Sequence, residues 1–123
     1  MKGSYMLIIE VEKDKVLGIG KLGGIAFKKG YYAYVGSALG GLEARVMRHK
    51  RKEKRLHWHI DHLLLNASVV GAICIESDER LECPLALRLG KTFHSVPSFG
   101  CSDCKCPSHL FYSASLPDLI NWE

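Results

Sequence analysis

Arg45 and His49 stand four residues apart in Leu42 to Lys54, a stretch with helix formers at nearly every position. At about 100° per residue that spacing sets a guanidinium and an imidazole side by side. Leu42, Val46 and His49 share the apolar stripe of this helix, so Arg45 at its edge is a cation that packing can hold and a ligand can still reach. The outer face carries Arg48, Lys50, Arg51, Lys52, Lys54 and Arg55 against the single nearby acid Glu53. Seven positive charges within residues 45 to 55 exceed what solubility requires, and a polyanion is the simplest partner.

The elements that must position these groups follow from pattern and turn chemistry. Tyr31, Tyr32 and Tyr34 around Ala33 have strand character, Gly36-Ser37 and Gly40-Gly41 supply turns, and the basic helix follows. Upstream, residues 4 to 11 read as a strand. Val16 to Gly20 and Ile25 to Phe27 add an extra strand pair before the tyrosines. Downstream, Leu56 to Ala67 has helical spacing and Val69 to Ile75 reads as a buried strand. Pro84 opens a short helix that Gly90 ends. Residues 91 to 108, with Pro97, Gly100 and Pro107, are expected to form a long irregular loop, more often functional than idle in so small a domain. Leu110 to Tyr112 is expected as an edge strand, and Ser115 to Glu123 as a docked terminal turn. The expected fold is α+β: a small mixed or antiparallel sheet flanked by about three helices.

A chain of 123 residues is one domain on size grounds, spanning 1 to 123. Its 47% apolar and 24% charged content is that of an ordinary globule, with a net charge of +4 clustered on one helix. The apolar run Met6 to Ile9 is too short for a secretory signal, and no run approaches the roughly 20 residues that span a membrane, so a cytoplasmic protein is expected. Five cysteines, three of them in Cys101-x-x-Cys104-x-Cys106, argue against a disulfide scaffold. Cys101, Cys104, Cys106 and His109 have spacings compatible with zinc; buried or loop-ordering thiols and redox chemistry are the alternatives. For His57, His59 and His62 a metal site lacks the fixed spacing such sites show.

Three segments then carry a resemblance: YVGSALGGLEARVMRH (34 to 49), HWHIDHLL (57 to 64) and GCSDCKCPSHLFY (100 to 112). Together with Gly3-Ser4-Tyr5 and Tyr34-Val35-Gly36 they resemble the GIY-YIG nuclease superfamily, most closely the small stand-alone Uri-type endonucleases found widely in archaea. The resemblance covers roughly residues 3 to 113 and is far more specific than the two tripeptides alone. Tyr5 and Tyr34 are farther apart along the chain than is usual there, a gap the extra strand pair would absorb.

The resemblance implies a divalent-metal-dependent endonuclease with the GIY-YIG fold, using one Mg²⁺ or Mn²⁺. Hydrolysis of a phosphodiester needs an activated water, positive charge on the phosphate oxygens and stabilisation of the leaving oxygen. Arg45 matches the helix arginine that grips phosphate, and Glu82 the lone metal-holding acid, with Glu76 and Glu79 as rivals. Tyr5 and Tyr34 line the cleft by analogy, either of them serving as base; His49 assists proton transfer, and His57 matches a histidine that some homing-nuclease relatives use near the scissile phosphate. Asp61 is placed to orient His57. The asparagine that many relatives carry after a Pro-x-aromatic is absent, since Pro97-Ser98-Phe99 runs into Gly100, leaving Ser102 or Asp103 to replace it.

Nucleic acid, DNA favoured, is the expected partner, held by Arg48, Lys50, Arg51, Lys52 and Arg55. No specificity module is appended, so selectivity should be for nucleic-acid shape. A non-catalytic nucleic-acid binder and a metal- or redox-linked interaction module centred on Cys101 to His109 are the competing classes.

Overall fold

Strand β1 (Gly3–Val11) forms the axis of the fold, because apolar residues occupy both of its faces. Tyr5, Leu7, Ile9 and Val11 point into one cluster, while Met6 and Ile8 point into another. This computed structural model describes residues 1–101 and 106–116. After β1 come β2 (Lys15–Gly18), one 3₁₀ turn at Gly20–Leu22, β3 (Gly24–Phe27) and β4 (Gly30–Ala38). Helices α1 (Leu42–Lys50) and α2 (His59–Leu64), strand β5 (Ser68–Glu76), helix α3 (Glu82–Leu89) and strands β6 (His94–Ser95) and β7 (Leu110–Ser113) complete the order.

Five strands form one antiparallel sheet in the order β5-β1-β4-β7-β6, so the fold is α+β with three helices. The extra pair, β2 and β3, makes a separate two-stranded sheet. On one face of the large sheet, Leu42 and Val46 of α1 and Ile60, Leu63 and Leu64 of α2 bury the odd-numbered side chains of β1. Ala86 and Leu89 of α3 cover the other face over Met6, Ala33, Val35 and Phe111.

Several sequence expectations shift. Gly36 and Ser37 belong to strand β4, paired with Tyr5 and Ser4, and the turn comes only at Gly40-Gly41, where Gly41 has φ 144°. Helix α1 stops at Lys50 instead of Lys54 because the Lys54 ammonium donates to the carbonyls of Arg48 (3.2 Å) and His49 (2.8 Å). It thereby stands in for the donors of another turn. Helix α2 begins at His59 instead of Leu56, since the Asp61 carboxylate accepts the backbone N–H groups of His57 and Trp58 and fixes them ahead of the first turn.

Strand β5 is an outer strand with alternating half-buried and exposed residues, so it is not buried. Strand β7 lies inside the sheet, and the two-residue β6 takes the edge. Over its described part 91–108 is a loop of turns in which only β6 is regular, and it is tied together internally. Val96 donates to Leu110, Ser98 to Pro107 and His109 to Phe99, at 2.8–2.9 Å, zippering the two limbs together. The expected terminal turn at 115–123 lies outside the described residues beyond Leu116. No helix among the described residues is long and apolar enough to cross a membrane.

Candidate active site

Tyr5 of β1 and Tyr34 of β4 come together because β1 and β4 are hydrogen-bonded neighbours, and their ring centroids lie 6.5 Å apart. Directly opposite Tyr5 sits Gly36, and the phenol ring lies across it. A Cβ at residue 36 would meet Tyr5 Cζ and Oη at 2.5 Å, so the glycine is required by the ring and not by a turn. Behind the two phenols, His49 projects from α1. Its Nε2 is 2.7 Å from the Tyr5 hydroxyl, and its ring lies 5.4 Å from Tyr5 and 6.0 Å from Tyr34.

Arg45, one turn before His49, donates from Nη1 to the Ser37 carbonyl at 3.0 Å and lays its guanidinium over the Trp58 indole, 4.5 Å from the ring centroid. Arg48 packs on the same indole at 4.4 Å. Trp58 therefore acts as the platform that aims Arg45, through a cation–π contact.

Glu82 approaches from the opposite face. Ser4 and Ser37 hydrogen-bond to each other at 2.8 Å, and the Ser4 hydroxyl accepts the Leu81 N–H at 2.9 Å. The start of α3, and hence Glu82, is tied to the same two strands that carry the tyrosines. Tyr5, Tyr34, Arg45, Trp58, Arg80 and Glu82 line one cleft of about 480 Å³, whose walls Gly36, Ser37, Gly100 and His109 complete. Arg80 reaches to 4.0 Å from the Glu82 carboxylate. The far wall is held by Gly100, whose N–H donates to His59 Nδ1 at 2.8 Å, and by buried Phe99, whose ring is 6.3 Å from Tyr34.

Burial raises the Tyr5 phenol to about 12 against the pull of the Arg45 guanidinium. It lifts Tyr34 well above the ordinary range too, with Tyr5, Asp61 and Glu82 adding and Arg45 opposing. Burial lowers His49 to about 4, opposed by the Asp61 charge. At neutral pH the cleft thus presents two neutral phenols backed by a neutral imidazole beside a guanidinium. His49 Nδ1 is buried without a partner. An unmatched lone pair is the lesser cost than an unmatched N–H. The proton is therefore assigned to Nε2, which donates to the Tyr5 oxygen and leaves the phenol hydrogen for the cleft.

Of the residues expected from sequence, the structure brings Tyr5, Tyr34, Arg45 and Glu82 to one cleft with His49 behind it. His57 is not among the cleft residues. It is exposed, with its ring 4.9 Å from that of Trp58, and Asp61 holds its backbone N–H instead of its imidazole. Arg48 is committed to buried Asp61 through two hydrogen bonds of 2.9 and 3.0 Å, and Lys52 donates to the Leu64 and Ala67 carbonyls. Lys50, Arg51 and Arg55 have exposed side chains.

Trp58, Arg80 and the Ser4–Ser37 pair escaped the sequence reading. Arg80, two residues before Glu82, was within reach of it. The serines show their role only through strand pairing.

The cysteines also regroup. Cys83, Cys106 and His109 form the one set of three metal-ligand side chains among the described residues, their ligand atoms all within 4.8 Å of one another, and they can hold a metal ion. Cys83 and Cys106 are also at disulfide-bonding distance. The expected zinc quartet is thus altered. Cys101 Sγ donates to the Phe99 carbonyl at 3.5 Å, while Cys104, with Ser102 and Asp103, lies outside the described residues. Burial lowers the His109 pKa, opposed by the Glu82 charge. His57, His59 and His62 form no such group.

Comparison with known proteins gives one family match. The model described as "Domain of unknown function DUF123" covers residues 4–121. No curated protein and no solved structure matches the chain.

Proposed function

We propose that this chain, which belongs to the DUF123 family, is a divalent-metal-dependent endonuclease of the GIY-YIG type that hydrolyses nucleic-acid phosphodiester bonds, DNA favoured, with selectivity for shape over sequence. The observation that carries this reading is the convergence of Tyr5, Tyr34, Arg45 and Glu82, drawn from two strands and two helices, on a single cleft. A protein that only bound nucleic acid would need the cations but neither buried phenols nor a carboxylate in the same cleft.

The Arg45 fork takes two phosphate oxygens, and its contacts to Trp58 and the Ser37 carbonyl orient it before substrate arrives. Arg80 adds a second cation at the rim. Tyr34 keeps its proton at working pH and donates a hydrogen bond to a phosphate oxygen. Tyr5 first gives its proton to solvent water in the cleft, leaving a phenolate offset by the His49 Nε2–H and by Arg45. The phenolate then takes a proton from the attacking water and returns to the neutral phenol.

Glu82, a hard oxygen donor with a side chain 19% exposed, fits Mg²⁺ or Mn²⁺, which commonly take one carboxylate and complete their shell with water and substrate oxygens. When bound, the ion supplies positive charge to the phosphate and acidifies nearby water and phenol. Lys50, Arg51 and Arg55 provide salt-sensitive affinity for the backbone on either side.

The test is nicking of supercoiled and branched DNA with Mg²⁺ or Mn²⁺, comparing the native chain with Glu82→Gln and Arg45→Ala. Loss of about 100-fold or more in rate for both variants, with DNA binding by Glu82→Gln retained, is expected. Binding with no metal-dependent product from the native chain, on DNA or RNA, would return the protein to the class of non-catalytic binders.

A further inference from the structure

The proposed reaction leaves unused a cluster beside Glu82, one member of which, His109, also lines the cleft. Cys83 follows that residue in α3, and Cys106 and His109 flank the turn into β7. His109 Nε2 lies 3.1 Å from Cys106 Sγ and 3.8 Å from Cys83 Sγ, and the two cysteine Cα atoms are 5.9 Å apart. All three side chains are at least half-buried. A disulfide between Cys83 and Cys106 would account for two of these groups. It has no use for the third, an imidazole nitrogen directed at both sulfurs.

Three soft or borderline donors converging from two segments 23 residues apart supply three of the four positions of a tetrahedral zinc ion. With Zn–S of about 2.3 Å and Zn–N of about 2.0 Å, a tetrahedron sets sulfur and nitrogen roughly 3.6 Å apart, a value the two observed separations bracket. The sulfurs need only part to roughly 3.8 Å, which the Cα separation accommodates.

We propose that Cys83, Cys106 and His109 bind Zn²⁺ in the reduced protein, with water in the fourth position, and that the ion staples the start of α3 to the entrance of β7. The staple matters because of what is attached at either end. Glu82 precedes Cys83. The His109 carbonyl accepts the N–H of Val35, next to Tyr34, at 3.0 Å, and its N–H donates to Phe99 at 2.8 Å. A Cβ on Gly100 would come within 3.1 Å of His109 Cβ and 3.3 Å of Tyr34, so the ligand and the phenol both border the same stretch of cleft wall. The ion is thus a positioning element for the cleft, chemically separate from the hard cation assigned to Glu82. Its presence does not depend on the nuclease reading.

The test is metal analysis of the full chain, purified under reductant without a metal-affinity tag, followed by Co²⁺ replacement. Near-stoichiometric zinc is expected, together with a Co²⁺ spectrum carrying thiolate charge-transfer bands and the intense d–d bands of four-coordination. Cys83→Ser should lose the zinc and, with Co²⁺ added, show at most the charge-transfer intensity of the one remaining thiolate, whereas Cys74→Ser, at an exposed position, should keep the zinc and the full spectrum. Only traces of zinc, and a Co²⁺ spectrum without thiolate bands, would overturn the proposal. So would a Cys83–Cys106 disulfide that persists under reductant in metal-free protein. The spectrum of the native chain decides the matter even where Cys83→Ser fails to fold.

Discussion

The ring of Tyr5 fills the space that a side chain at Gly36 would need, so these two residues on neighbouring strands define one wall of the cleft between them. Gly36→Ala forces the phenol aside, since its new Cβ would lie 2.5 Å from Cζ and Oη. The ring is buried and cannot swing out freely. The expected cost is about 1–3 kcal/mol of stability, typical of overpacking, and at least about tenfold in nicking rate as the Tyr5–His49 hydrogen bond is broken. Denaturant titration and the nicking assay on one preparation separate the two effects. Unchanged nicking would remove Tyr5 from the reaction.

Asp61 is the hub of the segment between α1 and α2, accepting two hydrogen bonds from Arg48 and one each from the N–H groups of His57 and Trp58. Burial alone would raise its carboxyl, but the Arg48 and backbone bonds prevail and hold it at about 2. Asp61→Asn leaves the partly exposed Arg48 guanidinium without its buried counter-charge and should cost about 3 kcal/mol, read as a fall in Tm. A depressed carboxylate pKa contributes stability above about pH 4 that is lost as pH falls toward about 2. The acid limb of the native stability curve in that window should flatten in the variant.

His49 sets a different pH window. Its pKa falls from 6.5 unfolded to about 4 in the fold, so between those values the unfolded chain binds a proton that the native chain does not. Stability therefore rises with pH across that interval, by on the order of 3 kcal/mol in all, and is flat above it. Thermal melts from pH 4 to pH 7 should show this slope, and His49→Phe should abolish most of it. A native profile flat between pH 4 and 6.5 would contradict the buried neutral imidazole.

The basic residues divide by commitment. Lys50, Arg51 and Arg55 are exposed, whereas Arg48 is tied to Asp61 and Trp58. Removing any phosphate-contacting cation should lower the slope of log K against log salt by about 0.9. Lys50→Ala, Arg51→Ala and Arg55→Ala should each show this with little change in Tm. Arg48→Ala should instead lower Tm.

The strands other than β6, the three helices and the α+β class were legible in the chain because period-two burial and proline and glycine punctuation are local signals. The bounds of α1 and α2 were not. Lys54 and Asp61 act on backbone groups several residues away, and helix propensity cannot register a side chain that returns to cap a turn. The gathering of Tyr5, Tyr34, Arg45 and Glu82 was anticipated through likeness to other chains. Trp58 and Cys83 were missed for one reason. Each gains its role from a partner that only the tertiary fold brings near, Arg45 for the indole and His109 for the thiol.

Ser4 and Tyr5 are consecutive residues whose side chains leave β1 on opposite sides, one anchoring the acid-bearing helix and the other lining the cleft beside the arginine. The two halves of the site therefore share a single point of suspension. A slip of β1 by one residue would not merely loosen the site; it would turn it inside out, presenting a hydroxyl where the phenol belongs and driving an aromatic ring against the start of α3.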